Sequence, residues 1–251
     1  MKKIVWFILP ILFVILLWEG VSHTAIVSQF LFPPPSKVLL ALFEMIRSGT
    51  LITDIGASLW RLALGLLFGS VIGIGVGLLT GKMKQMSSML VPIIQIFRPL
   101  PPVAIIPLVI IWFGIDDGAK IFSIAFAVFF PVWINTHIGA QQTPRAYIWS
   151  AKLLTESTAK IFRRVILPAA TPFIVAGIRT AISVGFIMVF VSELAGASSG
   201  LGYRISISEL SYHIDEMLAA LIILGLLGAI TDQLFVISTR KLFPWINLTS
   251  K

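Results

Sequence analysis

The chain has 251 residues, of which 57% are hydrophobic and only 12% charged, and its mean hydropathy is +0.99. Soluble domains carry charge on about a quarter of their residues, so this composition excludes an ordinary soluble protein and indicates an integral membrane protein. The net charge of +8 does not indicate nucleic-acid binding, because the basic residues lie between apolar segments, where they mark cytoplasmic loops.

The N-terminal segment MKKIVWFILPILFVILLWEG has the basic start and apolar core of a secretory signal. No small-x-small cleavage site closes the apolar run, and the rest of the chain is itself apolar. The segment is therefore predicted to be a retained first membrane span, at about 4–19.

A linker with the sequence PPPSKVLLALFEMIRSG follows the first span. Pro33 to Pro35 predict an extended entry, Ser36 is a candidate N-cap, and an amphipathic helix is expected to continue to about Ile46. This helix is predicted to lie along the membrane surface or on the outer flank of the bundle.

Hydropathy predicts five further spans, at about 57–80, 87–113, 119–140, 170–192 and 214–239. The third of the six spans is interrupted by the sequence RPLPP. In the second, glycines recur every four residues at Gly65, Gly69, Gly73 and Gly77, a spacing that permits close helix packing.

The distribution of basic residues orients these spans. With the N-terminus inside, twelve basic residues fall on the cytoplasmic side: Lys2, Lys3, Lys82, Lys84, Arg145, Lys152, Lys160, Arg163, Arg164, Arg240, Lys241 and Lys251. Only Lys37, Arg47, Lys120 and Arg204 fall outside. Both termini are therefore predicted to be cytoplasmic. The predicted organisation is a first span with its linker helix (1–56), a core domain (57–243) with a long cytoplasmic loop at 141–169, and a cytoplasmic tail (244–251).

The cytoplasmic loop contains RAYIWSAKLLTESTAKIFRRVILP, residues 145–168. A first helix is predicted to end at Leu154, with a break at Thr155-Glu156-Ser157 and a second helix to Ile166. Pro168 is expected to open the next span. Periodicity leaves two interpretations open: a surface helix on anionic lipid, or a docking platform for a cytoplasmic partner.

Irregular backbone at membrane depth is tolerated where it is buried in protein or lines a cavity, and three prolines beside Arg98 disrupt the third span in this way. Arg98, Pro99, Pro101 and Pro102 are therefore candidates for the translocation path. Arg98 has two interpretations: contact with an anionic substrate, or a structural cation bonded to freed carbonyls.

Arg179 and Glu193 both lie in the fifth span, but a separation of 14 residues places them about 21 Å apart, so they cannot pair with each other. Arg179 is interpreted as a structural anchor, and Asp232 in the sixth span as a cap or a partner near the cytoplasmic end. Glu193, with the following Ser198, Ser199 and Gly200, is a candidate for the outer gate. A phosphate cradle at SSGLG is disfavoured because it matches no nucleotide fingerprint.

The sequence offers no catalytic chemistry. It contains no P-loop, since Gly81-Lys82 is followed by Met83, and it contains no cysteine. The histidines His23, His137 and His213 lie in separate regions, so no metal site is predicted. The chain is therefore expected to be a non-enzyme that binds no cofactor itself.

The loop at 145–168 resembles the signature of permease subunits of binding-protein-dependent ABC importers, Glu-Ala-Ala, three residues, Gly, nine residues, Ile-x-Leu-Pro. Leu167, Pro168 and Ala151 match this pattern, and Val165 takes the Ile position. Trp149 stands where the family has Glu, and Thr155 where it has Gly. Thr155 gives up easy access to a left-handed turn, and Trp149 replaces an anion with a large amphipathic surface.

Three further stretches, FLFPPPSKVL, FRPLPPVAIIPLVIIWFGI and SELAGASSGLGYRI, resemble the nitrate, sulfonate, taurine and bicarbonate branch of these permeases. The resemblance runs from about Phe32 to about Phe243. It implies an all-α inner-membrane protein with the type I importer fold and six transmembrane helices. It also implies a second permease copy, two cytoplasmic ATPase subunits that use ATP and Mg²⁺, and an external solute-binding protein.

The resemblance assigns the loop to ATPase coupling, through Tyr147, Trp149, Ala151, Leu154, Thr155, Glu156, Ile161, Phe162, Arg163, Leu167 and Pro168. It favours a small anion as the solute, of the sulfonate, taurine, nitrate or bicarbonate type. Alternatives are a heterocyclic vitamin or its precursor (a thiamine precursor or riboflavin), or, from another class, an ion-coupled secondary carrier. No internal repeat supports the carrier.

Overall fold

The computed structural model describes residues 2–24 and 28–245, and within these ranges all regular secondary structure is helical. The helices are α1 (Lys2–Ser22), α2 (Pro35–Arg47), α3 (Thr50–Lys82), α4 (Lys84–Phe97), α5 (Ile106–Phe113), α6 (Asp117–Gln141), α7 (Arg145–Leu154), α8 (Thr158–Ile161), α9 (Leu167–Leu194), α10 (Leu201–Leu210) and α11 (Ile214–Leu242). A 3₁₀ turn at Pro102–Ile105 precedes α5, and a π turn at Phe162–Ile166 joins α8 to α9.

Four helical segments in the described part of the chain are long and apolar enough to cross a membrane: Thr50–Lys82, Asp117–Gln141, Thr158–Leu194 and Ile214–Leu242. A fifth is formed if α4 and Pro102–Phe113, which meet at an angle of 85°, count as one broken span. The predicted break of the third span is thus confirmed. The total of six spans and the cytoplasmic termini stay predictions.

The chain divides into two compact units, Met1–Ser58 with Ser198–Leu226 and Leu59–Ala197 with Leu227–Lys251. In the first unit, the prediction that Ser36 caps α2 is wrong. The N-cap is Pro34, with Pro35 in the first turn. Instead, the Glu19 carboxylate accepts hydrogen bonds from the Ser36 backbone N–H (3.1 Å) and hydroxyl (2.8 Å), so α1 supplies the cap.

The second unit is held together by close packing of α3 against α6. A Cβ atom added to Gly69 would lie 2.5 Å from the backbone oxygen of Ala125, and one added to Gly77 would lie 2.6 Å from Cβ of Thr136. Gly65 and Gly73 meet α6 in the same way. The prediction that these glycines serve helix packing is confirmed.

Helix α6 is the central helix of this unit, since it also packs along α9 through Gly139 and Gly177. Its Trp133 ring is 1% exposed and donates a hydrogen bond from Nε1 to the Thr80 hydroxyl of α3 at 3.2 Å. These contacts fix the positions of α3, α6 and α9, which carry the charged residues Arg61, Asp117, Arg179 and Glu193.

Candidate functional site

The loop predicted for coupling contains two short helices, as expected. Helix α7 ends at Leu154, and Thr155 follows in an extended conformation with φ −161°. A left-handed residue is therefore not used at this turn, and Thr fits at the position where the signature that the loop resembles has Gly. The Thr155 hydroxyl accepts a hydrogen bond from the Ser157 N–H, and Ser157 in turn caps α8 at the Lys160 N–H.

Helix α7 has an exposed apolar surface. It has no buried residue, and the exposed fractions are 64% for Trp149 and 88% for both Leu153 and Leu154. Tyr147 is also exposed, whereas Ala151 is half-buried. An exposed cluster of large apolar side chains next to lysines is typical of a protein interaction surface.

A concave groove of about 530 Å³ lies beside this cluster. It is lined by Lys82, Ile148, Lys152, Thr155, Glu156, Thr158, Ile161 and Ile166. Ile161 and Ile166 are buried and form its floor, while Phe162 is half-buried and Arg163 is exposed. The groove therefore combines an apolar floor with charged walls.

The second helix of the loop does not end before the next span. A single helical run extends from Thr158 to Leu194, with the π turn at Phe162–Ile166 inside it. In the π turn the Leu167 N–H donates to the Phe162 carbonyl. Pro168 lies in the first turn of α9, as predicted, but it continues a helix rather than opening a separate one. A local change of register is expected where proline removes a donor, and π turns are frequent at functional sites.

At the break of the third span, most of the candidate path residues are exposed on the protein surface. Arg98 follows α4 directly, and Arg98, Pro99 and Pro101 are exposed, whereas Pro102 is half-buried. Within the described residues, the Arg98 guanidinium forms no hydrogen bond or ion pair. The interpretation of Arg98 as a structural cation bonded to freed carbonyls therefore gains no support.

Glu193 is part of a buried ion cluster that the sequence did not predict. Arg61 of α3 donates from Nη1 to Glu193 Oε1 at 2.7 Å and from Nε to Asp117 Oδ1 at 2.8 Å. The side chains of Arg61 and Glu193 are 3% and 0% exposed. Glu193 thus joins α9 to α3 through Arg61, which also bonds to Asp117 at the start of α6. An arginine within a span was the available signal, because such a residue needs an anionic partner.

Arg179 and Asp232 form a second ion pair, between α9 and α11. The guanidinium donates from Nε to Oδ1 and from Nη2 to Oδ2, both at 2.8 Å. Of the two interpretations of Asp232, a cap or a partner, the ion pair supports the partner, and Arg179 and Glu193 do not pair with each other.

The turn before α10 is stabilised by a carboxylate from the same unit. Gly200 has φ +119°, a conformation that favours glycine, and its N–H donates to Asp54 Oδ1 at 2.9 Å. Arg204 donates to the other oxygen of Asp54 at 2.9 Å. Because Asp54 already supplies the anion at this helix N-terminus, a phosphate cradle at SSGLG is excluded. Ser198 is exposed and Ser199 half-buried.

Comparison with known proteins identifies relatives over nearly the whole chain. Residues 69–244 match the family described as binding-protein-dependent transport system inner membrane component. The chain is 36% identical to the putative aliphatic sulfonates transport permease protein SsuC of Bacillus subtilis (strain 168), over 93% of this chain and 85% of that protein. It is 32% identical to the taurine transport system permease protein TauC of Escherichia coli (strain K12), over 91% of this chain and 85% of that protein.

Two solved structures share the fold. An amino acid ABC transporter crystallised with histidines aligns with a TM-score of 0.65 and 18% identity, over 80% of this chain and 98% of its own. An inward-facing conformation of the MetNI methionine ABC transporter aligns with a TM-score of 0.65 and 20% identity, over 78% of this chain and 97% of its own.

Proposed function

Because the chain belongs to the family of binding-protein-dependent transport system inner membrane components, we propose that it forms the translocation path for a small organic anion of the sulfonate type. It is a multi-pass inner-membrane protein and the non-catalytic permease component of an ABC importer. The observation that carries the choice of solute is its relation, over more than nine-tenths of its length, to permeases named for aliphatic sulfonates and for taurine.

The proposed assembly contains two copies of this chain, two cytoplasmic ATPase subunits and one external solute-binding protein. ATP and Mg²⁺ are used by the ATPase subunits, and this chain contributes the path and the coupling surface. The solute-binding protein selects the solute and delivers it to the outer side of the permease.

The proposed coupling surface is the exposed cluster Tyr147, Trp149, Leu153 and Leu154 together with the adjacent groove. Side chains that are 61% to 88% exposed gain most from burial against a partner. The groove of about 530 Å³ is concave and has charged walls, which favours a protein projection over a flat lipid surface. This supports ATPase docking over the alternative of a lipid-bound helix.

The proposed path includes the broken third span. The Arg98 guanidinium, exposed beside Pro99 and Pro101, can offer hydrogen bonds to an oxyanion without first leaving a protein partner. Glu193 contributes indirectly, since its ion pair with Arg61 holds the end of α9 to α3. The turn with Ser198, Ser199 and Gly200, which follows α9 in the sequence, is also proposed to belong to the path.

The test is ATP-dependent uptake by proteoliposomes that contain this chain with its ATPase and binding protein. Uptake of labelled taurine or ethanesulfonate is the expected result. Uptake of only nitrate, bicarbonate, or a heterocyclic vitamin or precursor would contradict the sulfonate assignment, and uptake without ATP would contradict the importer.

In the same vesicles, Trp149→Ala and Leu154→Asp are expected to lower transport-coupled ATP hydrolysis several-fold while leaving the melting temperature unchanged, because neither side chain is buried. Tyr212→Ala, which removes an aromatic side chain of similar exposure outside the loop, is the matched control for ATPase binding. Normal coupling in both loop variants would exclude the docking assignment.

A further inference from the structure

The ion pair between Arg179 and Asp232 is partly open, although it lies deep within two spans. The Arg179 side chain is 42% exposed and that of Asp232 is 27% exposed. Arg179 lies 12 residues after Leu167 and 15 residues before Leu194, the ends of α9. At a rise of 1.5 Å per residue, it is about 18 Å from one end of the helix and about 22 Å from the other.

An open ion pair at this depth is incompatible with lipid contact. The span is predicted at about 170–192, so Arg179 lies nine residues, or about 14 Å along the helix, from its nearer end, inside a hydrocarbon core about 30 Å thick. Charged groups at that depth cost several kcal/mol unless they face the protein interior or a water-filled cavity. The open side of the pair must therefore meet water, a solute or another protein chain.

The neighbouring surface of α9 carries small and hydroxyl-bearing residues as far as Ser183, after which the exposed Ile187 continues the same face. Ala176, Thr180 and Ser183 are exposed and follow one another at intervals of four and three residues, so they share one face of the helix next to Arg179. The Thr180 hydroxyl donates to the Ala176 carbonyl at 3.1 Å, which leaves the oxygen able to accept a further hydrogen bond. Small and hydroxyl-bearing side chains give this strip room and polarity.

The guanidinium retains capacity to bind a second anion. Of its five N–H donors, Asp232 takes one from Nε and one from Nη2. Within the described part of the chain, the other three donate to no protein atom. A covering protein would have to supply an acceptor for each of them, whereas water or an oxyanion satisfies them directly.

We propose that Arg179 is an anion-binding residue at mid-depth on the translocation path, where it receives the oxyanion group of the solute while Asp232 holds its guanidinium. The inference rests on the proposed function and specifies a site within it. Asp232 has two roles. It orients the guanidinium, and it lowers the affinity for the solute because it competes with the solute's oxyanion for the guanidinium N–H groups. A site on a transport path needs such a compromise, because binding must be favourable enough for entry and weak enough for release.

The absence of cysteine from the chain makes a direct test possible. Thr180→Cys and Ser183→Cys are introduced singly, and their rates of modification by a sulfonate-bearing and by a trimethylammonium-bearing methanethiosulfonate are measured in vesicles. Val71→Cys, an exposed apolar position on α3, is the lipid-facing control. Both variants on α9 are expected to react at least tenfold faster than the control.

Charge selectivity then tests Arg179 itself. In the Thr180→Cys background, Arg179→Gln is expected to lower the ratio of anionic to cationic reaction rates about fivefold or more, and Asp232→Asn to raise it by a similar factor, since residue 180 follows Arg179 directly on the helix and Asp232 is bonded to Arg179. Arg179→Lys preserves the charge and should keep the ratio near that of the parent. The same neutralisation at a remote exposed site, Arg47→Gln, should leave it unchanged.

Two results would overturn the inference. One is a Thr180→Cys or Ser183→Cys variant that reacts no faster than Val71→Cys, or that forms a disulfide between two copies, since a second chain would then cover this face. The other is a ratio of anionic to cationic reaction rates that is the same in Arg179→Gln, in Asp232→Asn and in the parent. If either result is found while the protein still takes up a sulfonate with ATP, the site at Arg179 is wrong and the proposed function stands. If the unsubstituted protein takes up no sulfonate but the rate ratio responds to the charges as expected, only the proposed function is contradicted.

Discussion

At the scale of single residues, two arginines within spans, Arg61 and Arg179, are paired with carboxylates from other helices. Arg61 illustrates this, since it is 3% exposed and contacts both Glu193 and Asp117. A buried guanidinium without a counterion would retain a large desolvation penalty. The cluster therefore stabilises one arrangement of α3, α6 and α9 and disfavours arrangements that separate them.

Neutralising one member of this cluster should lower the free energy of unfolding of the protein. We expect Glu193→Gln to destabilise the protein by about 3 kcal/mol, because Arg61 keeps its buried charge while losing the Glu193 carboxylate. In detergent this corresponds to a melting temperature lower by about 6 °C or more. Glu209→Gln removes the same charge at an exposed position of α10 and should change the melting temperature by less than about 2 °C. Equal shifts in the two variants would contradict the structural role of the cluster.

Sequence reasoning identified which residues are unusual but found their partners only in part. Asp232 could be expected to pair because an acid within a span needs a partner, and Arg179 supplies it. The pairing of Arg61 with Glu193 was missed, because the two residues are 132 positions apart and only the packing of α3 against α9 brings them together. The prediction of the α2 cap was wrong because this contact is also distant in sequence: the carboxylate of Glu19 in α1 takes the place of the local candidate Ser36.

At the scale of elements, the contact between α3 and α6 depends on glycine. We expect Gly69→Ala to destabilise the protein by about 1 to 3 kcal/mol, because its Cβ would lie 2.5 Å from a backbone oxygen that cannot move aside. Gly75→Ala is a matched control on the same helix, where an added Cβ meets nothing within 4 Å. It should be neutral or stabilising by up to about 1 kcal/mol. Thermal unfolding of both variants in detergent makes the comparison, and a Gly69→Ala variant as stable as Gly75→Ala would contradict the packing role.

Helix positions and the break in the third span were predicted well, because hydropathy and proline act locally along the chain. The continuity of Thr158–Leu194 was not predicted, since Pro168 usually marks a helix start and a π turn has no clear sequence signal. The two helices of the coupling loop followed from the break at Thr155 to Ser157. The extended conformation of Thr155 could not be read from the residue type alone.

At the scale of the whole molecule, the positive-inside distribution predicts the orientation of the chain in the membrane. We expect Lys152→Cys, in the coupling loop, to react with an impermeant maleimide only after cells are permeabilised. Glu209→Cys, on α10, should react in intact cells. Both positions are exposed, so access to the thiol is governed by the membrane rather than by burial. Labelling of Lys152→Cys in intact cells would reverse the assigned orientation.

The uninterrupted helical run from Thr158 to Leu194 has a mechanical consequence. Its 37 residues span about 55 Å, from the groove that is proposed to receive the ATPase to the buried carboxylate of Glu193. A rod of that length converts a tilt of about 5° at its Thr158 end into a displacement of about 5 Å at its Leu194 end. A movement of the loop can therefore reach Glu193 without a chain of intermediate contacts, because one continuous helix joins the two.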